Sequence, residues 1–164
     1  MSKKISIQIN VEEFDSAQEL ESWQQDLLKK AEEAANNAYA PYSLFHVGAA
    51  LLLENGIIVT GNNQENVAYP SGLCAERVAI FAAGAQYPDV KIKAIAIFAR
   101  SENYTVDYPI SPCGACRQAV AEYESRYNQN IQLILKGEKG PIYLVNSMND
   151  LLPLLFNESR LKKK

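Results

Sequence analysis

The sequence predicts an α/β fold in which helices cover both faces of one mixed sheet of five strands, a three-layer α/β/α arrangement. Two observations predict this fold class. The length of 164 residues fits a single domain. Helical segments also alternate along the chain with short apolar runs of strand length. These predicted strands are residues 45–53, 56–60, 92–99, 131–135 and 141–145.

The chain opens with a predicted N-terminal extension, residues 1–15, to which the sequence assigns no role. Within it, residues 4–11 alternate between apolar and polar side chains, which indicates a short strand or an ordered arm. The first helix is predicted to begin at Ser16, because Ser16 and Glu19 form a capping-box pattern. An apolar stripe follows at three- and four-residue steps, and the helix must end before Pro41.

A hairpin is predicted next, with its turn at Asn55-Gly56, since both central positions of the favoured two-residue turn need positive φ. Residues 61–73 are polar and rich in turn formers, which predicts a loop. Residues 76–85 are predicted to form a buried helix. Residues 101–110 are predicted to be a loop before the next helix.

That next helix is predicted over residues 112–127, with Ser111 as N-cap and proline at the first position, where its missing N–H costs nothing. A short helix is predicted around residues 148–152. Residues 158–164 are predicted to be a frayed tail, so the domain itself spans residues 16–157.

The composition is that of a soluble globular protein, with 48% hydrophobic and 21% charged residues. A net charge of −3 argues against a nucleic-acid partner, which normally meets a basic face. No segment reaches the ~20 apolar residues needed to span a membrane, and the N-terminus lacks the pattern of a secretory signal. We therefore predict a cytoplasmic protein without a membrane partner.

Three cysteines are the candidate metal ligands. An odd number does not form a closed disulfide framework, so metal binding or catalysis is favoured. Cys74 and the pair Cys113 and Cys116 lie at predicted helix starts, where the helix dipole stabilises thiolates. Three thiolates on one Zn²⁺ per chain leave the fourth tetrahedral position for water, which is typical of a catalytic site.

Glu76 follows Cys74 by two residues and is the candidate proton shuttle. This ligand-x-Glu spacing, followed by Pro-Cys-x-x-Cys, is typical of zinc nucleoside deaminases. Three thiolates around Zn²⁺ give a net charge of −1, which Arg77 and Arg117 are placed to offset. The alternatives are a redox pair or a structural zinc site, but neither explains Cys74, and His46 is the only histidine.

With these motifs in this order, the sequence resembles the small, homotetrameric, three-cysteine cytidine deaminases from about Ala31 to Phe156. The resemblance rests on residues 42–50, 61–66, 74–77 and 111–118. It implies the cytidine-deaminase-like fold and zinc-dependent hydrolysis of cytidine and 2′-deoxycytidine to uridine and 2′-deoxyuridine, with release of ammonia. It also implies a role in pyrimidine salvage and a homotetramer with sites near subunit interfaces.

The resemblance further implies which residues contact the substrate. Asn63 and Glu65 would bind the ribose, and the Phe45 ring would pack on the base. The backbone of Ala75 would bind the base carbonyl, and the backbone of Ser111 would face the departing amine. Tyr69 and Phe156 would complete the site, in part across subunits. His46 stands where the family often has proline, and we interpret it as a surface or edge residue.

Two other functions stay open at this point. One is a deaminase of a modified nucleoside, of the blasticidin-S type, although such enzymes lack the Asn63-x-Glu65-Asn66 loop in this form. The other is a non-catalytic zinc-binding interaction module. Glu76 discriminates against that module, because a purely structural site has no use for it.

Overall fold

The structure is a computed structural model, which describes residues 2–157 and residue 161. The predicted frayed tail, apart from residue 161, lies outside the described residues. The helices are α1 (Ser22–Ala35), α2 (Ala75–Gln86) and α3 (Gly114–Tyr127). The strands are β1 (Glu12–Phe14), β2 (Phe45–Leu53), β3 (Ile58–Asn62), β4 (Ile92–Ser101), β5 (Gln132–Lys136) and β6 (Ile142–Val145). Short 3₁₀ turns occupy Ala17–Glu19, Tyr69–Ser71 and Met148–Leu151.

The strands form one sheet in the order β1-β6-β5-β4-β2-β3. Only β4 and β5 run parallel among the described strands, so the predicted mixed sheet is confirmed. The predicted count of five strands is wrong, because β1 adds a sixth at the edge. Two of its three residues are glutamates, and its pairing with β6, Glu12 opposite Leu144, is non-local and leaves no local strand pattern. Residues 4–11 before it form no strand.

Consecutive residues along the central strands face opposite layers, which confirms the three-layer arrangement. In β4, Ile95 and Ile97 belong to the apolar cluster under α2 and α3. Ala94, Ala96 and Phe98 belong to the cluster under α1. Because both faces of the sheet are covered, β4 reads as an almost continuous apolar run. Within the described residues, no helix is long and apolar enough to cross a membrane.

The first helix begins later than its capping pattern predicts. The Ser16 N–H donates to Glu19 Oε1 at 3.0 Å, but this box closes only the first 3₁₀ turn. Leu20 then takes an extended conformation that buries its side chain. A second box follows, in which the Glu21 N–H donates to Gln24 Oε1 at 2.9 Å, and α1 starts there.

Two local predictions are corrected in the turns. In the β2–β3 hairpin, Gly56 has a φ of 83°, whereas Asn55 is not among the residues with positive φ. The Gly56 N–H donates to Leu53 O at 2.9 Å, which makes a three-residue loop instead of a two-residue turn. The N-cap of α3 is Cys113 and not Ser111, so Pro112 lies before the helix.

A glycine fixes the position of α2 on the sheet. A Cβ atom added to Gly61 of β3 would lie 2.5 Å from Ala79 N and 2.6 Å from Ala75 O. Real Cβ contacts are never this short, so the α2 backbone can approach the strand only where the side chain is a hydrogen. This contact sets the N-terminal end of α2, and with it Cys74, beside the end of β3.

Candidate metal centre and active site

Three cysteine sulfurs from two helix starts converge on one point. Cys74 Sγ lies 3.6 Å from Cys113 Sγ, which lies 3.5 Å from Cys116 Sγ. All three sulfurs lie within 4.8 Å of one another. Zinc–sulfur bonds of about 2.3 Å in tetrahedral geometry place neighbouring sulfurs about 3.8 Å apart, so the observed spacing fits Zn²⁺. Three ligands leave one tetrahedral position free for water or substrate.

The helix starts place positive partial charge near the three sulfurs. Cys74 is the N-cap of α2 and Cys113 is the N-cap of α3, while Cys116 lies in the first turn of α3. The first N–H groups of each helix have no intrahelical acceptor, and both helix dipoles have their positive ends here. The two helices therefore offset part of the negative charge that three thiolates bring to the metal.

Arg77 supplies the positive side chain nearest the thiols. Its Nη2 atom lies 3.9 Å from Cys74 Sγ and 3.5 Å from Gly72 O. A hydrogen bond from the Cys116 thiol, followed by the interaction with Arg77, lowers the pKa of Cys74 to about 5. The same hydrogen bond and burial raise the pKa of Cys116 above its ordinary value. Metal binding displaces the proton of such a thiol, because only the thiolate is a ligand.

Arg117 makes different contacts. Its Nε atom donates to Pro112 O at 2.8 Å, and its Nη1 atom donates to Leu151 O at 2.6 Å. Arg117 thus fixes the carbonyl that precedes Cys113 and joins the start of α3 to the last 3₁₀ turn. These hydrogen bonds join the Arg117 guanidinium to backbone carbonyls and not to a cysteine sulfur. Arg77 is therefore the stronger candidate for the predicted charge-tuning role.

Glu76 is buried beside the three sulfurs, with 5% of its surface exposed. It lies in the first turn of α2 and lines the cavity onto which Cys74 and Cys113 open. Burial raises the pKa of its carboxyl group above the ordinary value, and the Cys74 charge adds to this effect. A carboxyl group with a raised pKa accepts a proton more readily than an ordinary carboxylate, as a proton shuttle requires.

The cavity beside the sulfurs has a volume of about 840 Å³, within the range of small-molecule sites. Among the described residues that line it, Arg77 is the one cation and Glu65 and Glu76 are the acids. The sequence-predicted residues that the structure brings together there are Phe45, Asn63, Glu65, Tyr69, Cys74, Glu76, Arg77, Ser111 and Cys113. The cavity therefore joins the predicted sulfur ligands to the predicted substrate contacts.

Besides Arg117, three predicted site residues lie outside the cavity lining. Ala75 is fully buried as the first residue of α2. Cys116 is buried behind the other two cysteines. Phe156 keeps 59% of its surface exposed, and its carbonyl accepts a hydrogen bond from Gln118 at 2.8 Å.

Asn63 and Glu65 also hold the backbone around the cavity. Asn63 accepts from the Val47 N–H at 2.8 Å and donates to Phe45 O at 2.9 Å. Glu65 Oε2 accepts from the Tyr42 N–H at 2.9 Å and more weakly from the next residue. Although partial burial opposes it, these hydrogen bonds hold the pKa of Glu65 below its usual value, so its carboxylate stays an ionised acceptor.

Sequence reasoning missed several cavity residues. Tyr42, Val47, Ile97 and Ile110 line the site without having been predicted there. A signal existed for Tyr42, which belongs to the first motif of the family resemblance. Val47 faces the same side of β2 as Phe45, and strand alternation alone indicates this shared face.

His46 is more buried than a surface residue. It is 9% exposed and pairs with Arg100 of β4, while the pairing of β2 with β3 begins only at Gly48. Its Nε2 atom lies 2.9 Å from Glu102 Oε1. As the second residue of β2, it points to the face opposite Phe45 and the cavity. The interpretation of His46 as a surface residue is therefore wrong, and it lies outside the sulfur cluster.

Comparisons with known proteins match these features. Residues 21–128 match the family described as the cytidine and deoxycytidylate deaminase zinc-binding region. A cytidine deaminase from Sporosarcina psychrophila is 42% identical over 135 residues, which cover 82% of this chain and 92% of the relative. A cytidine deaminase from Halalkalibacterium halodurans is 39% identical over 137 residues, covering 77% of this chain and 98% of the relative.

A solved structure shows the same architecture. The crystal structure of cytidine deaminase from Burkholderia pseudomallei superimposes with a TM-score of 0.68 at 38% sequence identity. The superposition covers 80% of this chain and 97% of that chain. The similarity therefore spans nearly the whole of the known protein.

Proposed function

We propose that this chain, which belongs to the family of zinc-binding cytidine and deoxycytidylate deaminases, hydrolyses cytidine and 2′-deoxycytidine to uridine and 2′-deoxyuridine and releases ammonia. It is an enzyme that uses one Zn²⁺ per chain. The buried Glu76 beside three converging sulfurs is the observation that carries the proposal. A structural zinc site closes its fourth position and needs no buried acid beside it.

Glu76 performs the proton transfers of the reaction. When bound by Cys74, Cys113 and Cys116, zinc supplies an acidified water as nucleophile. Glu76 takes the proton that this water loses and delivers it to N3 of the base as C4 is attacked. The hydroxyl now on C4 then gives its proton through Glu76 to the amine; the C4–N bond breaks, ammonia leaves, and the C4 carbonyl of uridine forms. Water and cytidine thus give uridine and ammonia with every proton accounted for.

The rest of the cavity orients a nucleoside. Phe45 packs against the pyrimidine ring, the Ala75 N–H binds the base carbonyl, and the Ser111 backbone faces the departing amine. Asn63 and Glu65 bind the ribose hydroxyls, because a carboxylate accepts from a hydroxyl and an amide donates to it. The hydrogen bonds of Asn63 and Glu65 with the backbone leave both side chains further hydrogen-bonding capacity. Tyr69 and Phe156 complete the site, in part across subunits.

A nucleoside suits this cavity better than a nucleotide. Among the described lining residues the single cation is Arg77, and its guanidinium faces Cys74 and Gly72 O. A phosphate group would therefore meet no free arginine or lysine among these lining residues, and the two helix starts there already carry the cysteine sulfurs. A modified-nucleoside deaminase is less favoured, because Asn63 and Glu65 are placed for a plain ribose.

Assembly, location and domain limits belong to the same proposal. The chain forms a homotetramer with sites near subunit interfaces, which is supported by the exposed aromatic ring of Tyr69 at the cavity and the exposed ring of Phe156. It works in the cytoplasm in pyrimidine salvage, where a reducing environment keeps three thiols available for zinc. Residues 16–157 form the deaminase domain.

The test compares Glu76→Gln with Glu122→Gln, a matched control at an exposed position of α3. Loss of the cytidine absorbance band is followed beside dCMP and blasticidin S, with zinc content measured on each sample. Glu76→Gln keeps about one zinc per chain and loses about 10²- to 10⁴-fold in kcat, while the control turns over cytidine normally. Full activity of Glu76→Gln, or a wild-type chain that binds zinc without turning over cytidine, refutes the proposal.

A further inference from the structure

An N-terminal arm, defined as residues 3–13, is not used by the site. All of residues 2–13 are exposed, including Ile5 at 82% and Ile7 at 54%. The apolar positions alternate with polar ones, as in a strand with one apolar face. Gln8 Nε2 donates to Asn10 Oδ1 at 3.2 Å, a contact between residues that share one face of an extended chain.

The arm continues into a free sheet edge. Its last residues belong to β1, which pairs with β6 on one side and ends the order of the sheet. Among the described residues, no strand pairs with the other side of β1, and such an edge is a template for another strand. An exposed apolar alternation at such an edge normally has a covering partner.

The arm is complementary to itself in the antiparallel direction. Turning a second copy about a two-fold axis through Gln8 places every residue opposite one of matching chemistry. Lysines meet glutamates, aliphatic residues meet aliphatic residues, and polar residues meet polar residues. The pairs are Lys3 with Glu13, Lys4 with Glu12, Ile5 with Val11, Ser6 with Asn10, Ile7 with Ile9, and Gln8 with itself.

We propose that the arm pairs antiparallel with the arm of a second copy of this chain about an axis at Gln8, joining two six-stranded sheets edge to edge. A two-fold interface of this kind is isologous, so one surface serves both copies. Cross-strand aliphatic pairs and opposite charges both stabilise such a ladder. Parallel pairing in register would instead set Lys3 and Lys4 against lysines and Glu12 and Glu13 against glutamates.

The charged ends are available for this pairing. Glu13 already interacts with the Tyr143 side chain, which raises the pKa of Tyr143. A carboxylate has acceptor capacity for a lysine ammonium as well. The arm lies outside residues 21–128, which match the family, so this interface does not depend on the proposed activity.

Disulfide trapping tests the register. In Gln8→Cys the two new thiols face each other, with Cα atoms about 4.5 to 5.5 Å apart, a separation that a disulfide spans. In the control Ser6→Cys, the two thiols are offset by four residues, about 14 Å. Under mild oxidation, we expect Gln8→Cys to form cross-linked dimers about tenfold faster or more. A mixture of Ser6→Cys with Asn10→Cys should cross-link where neither does alone.

Charge reversal tests the direction of pairing in the Gln8→Cys background. Lys3→Glu with Lys4→Glu should abolish the cross-link, and so should Glu12→Lys with Glu13→Lys. Mixing the two reversed chains should restore it, because each end then pairs opposite charges. Equal rates for Gln8→Cys and Ser6→Cys, no cross-link in Gln8→Cys, or no effect of either reversal would each overturn the proposal.

Discussion

Replacing Glu124 by alanine should strongly destabilise the fold, although Glu124 lies away from the cavity. Its carboxylate is 3% exposed and gathers four donors from two other segments. Oε1 accepts from the Ile131 N–H at 2.7 Å and the Met148 N–H at 2.9 Å. The Ser147 hydroxyl donates at 3.0 Å and the Asn149 N–H at 3.3 Å. Glu124 thus joins α3 to the start of β5 and to the last 3₁₀ turn.

The magnitude follows from the donors that lose their acceptor. Ile131 and Met148 are almost completely buried, at 1% and 0% exposed. Each buried N–H left unpaired costs about 1–3 kcal/mol, so Glu124→Ala should lose roughly 2–6 kcal/mol. For a domain of this size, each kcal/mol lowers Tm by about 2–4 °C. Glu124→Gln should lose less, because its amide oxygen still accepts from both backbone groups.

Urea unfolding and thermal unfolding measure this loss at fixed protein and zinc concentrations, since oligomer assembly and metal binding both shift apparent stability. The matched control is Glu122→Ala, which removes a similar side chain from an exposed position of the same helix. We expect the control to stay within about 0.5 kcal/mol of the wild type. A Glu124→Ala variant within about 1 kcal/mol of the wild type would refute the reasoning, because it would mean the donors find other acceptors at little cost.

Three further predictions concern packing, pH and metal. Gly61→Ala should push α2 off β3, because the new Cβ would lie 2.5 Å from Ala79 N. The free energy of unfolding should fall by about 1–3 kcal/mol, and kcat should fall with it. The control Gly114→Ala, with open space around its Cβ, should be neutral. The hydrogen bond from the Val106 N–H holds the pKa of Glu138 below its usual value. The ionised Glu138 therefore stabilises the fold fully above the ordinary carboxyl pKa, and this contribution is lost as pH falls through the lowered pKa of Glu138. Glu138→Gln should therefore lower Tm at neutral pH and match the wild type in acid. Removing zinc with a chelator should abolish activity and lower Tm, and adding zinc should restore both; activity that survives with no bound zinc contradicts the metal assignment.

The sequence predicts the metal centre well because its determinants are local. Cys113 and Cys116 are three residues apart on one helix, and Cys74 and Glu76 share the first turn of another. Short sequence patterns identify helix starts, and a thiolate at a helix start usually serves in catalysis, redox chemistry or metal binding. The buried strands were equally readable, since β4 is apolar on both faces.

The start of α1 and the length of the β2–β3 loop were less predictable, even though the local sequence patterns that mark them do form hydrogen bonds in the structure. The box at Ser16 forms its hydrogen bond, yet α1 starts at Ser22, because burying Leu20 interrupts the helix. Asn55-Gly56 marks the hairpin correctly, but register with the neighbouring strand decides the loop length. Local propensities are small compared with the free energy of tertiary packing, which decides between such alternatives.

By itself, the sequence determined the α/β class and the family, and it predicted the three cysteines that cluster and the buried acid Glu76. The tertiary structure alone decided that β1 becomes a sixth strand, that His46 is buried, that Arg117 reaches Leu151 O, and that Glu124 gathers donors from two distant segments. Each of these depends on contacts between residues that are far apart along the chain. Such contacts form only when the sheet and helices have packed, and no period or motif of neighbouring residues encodes them.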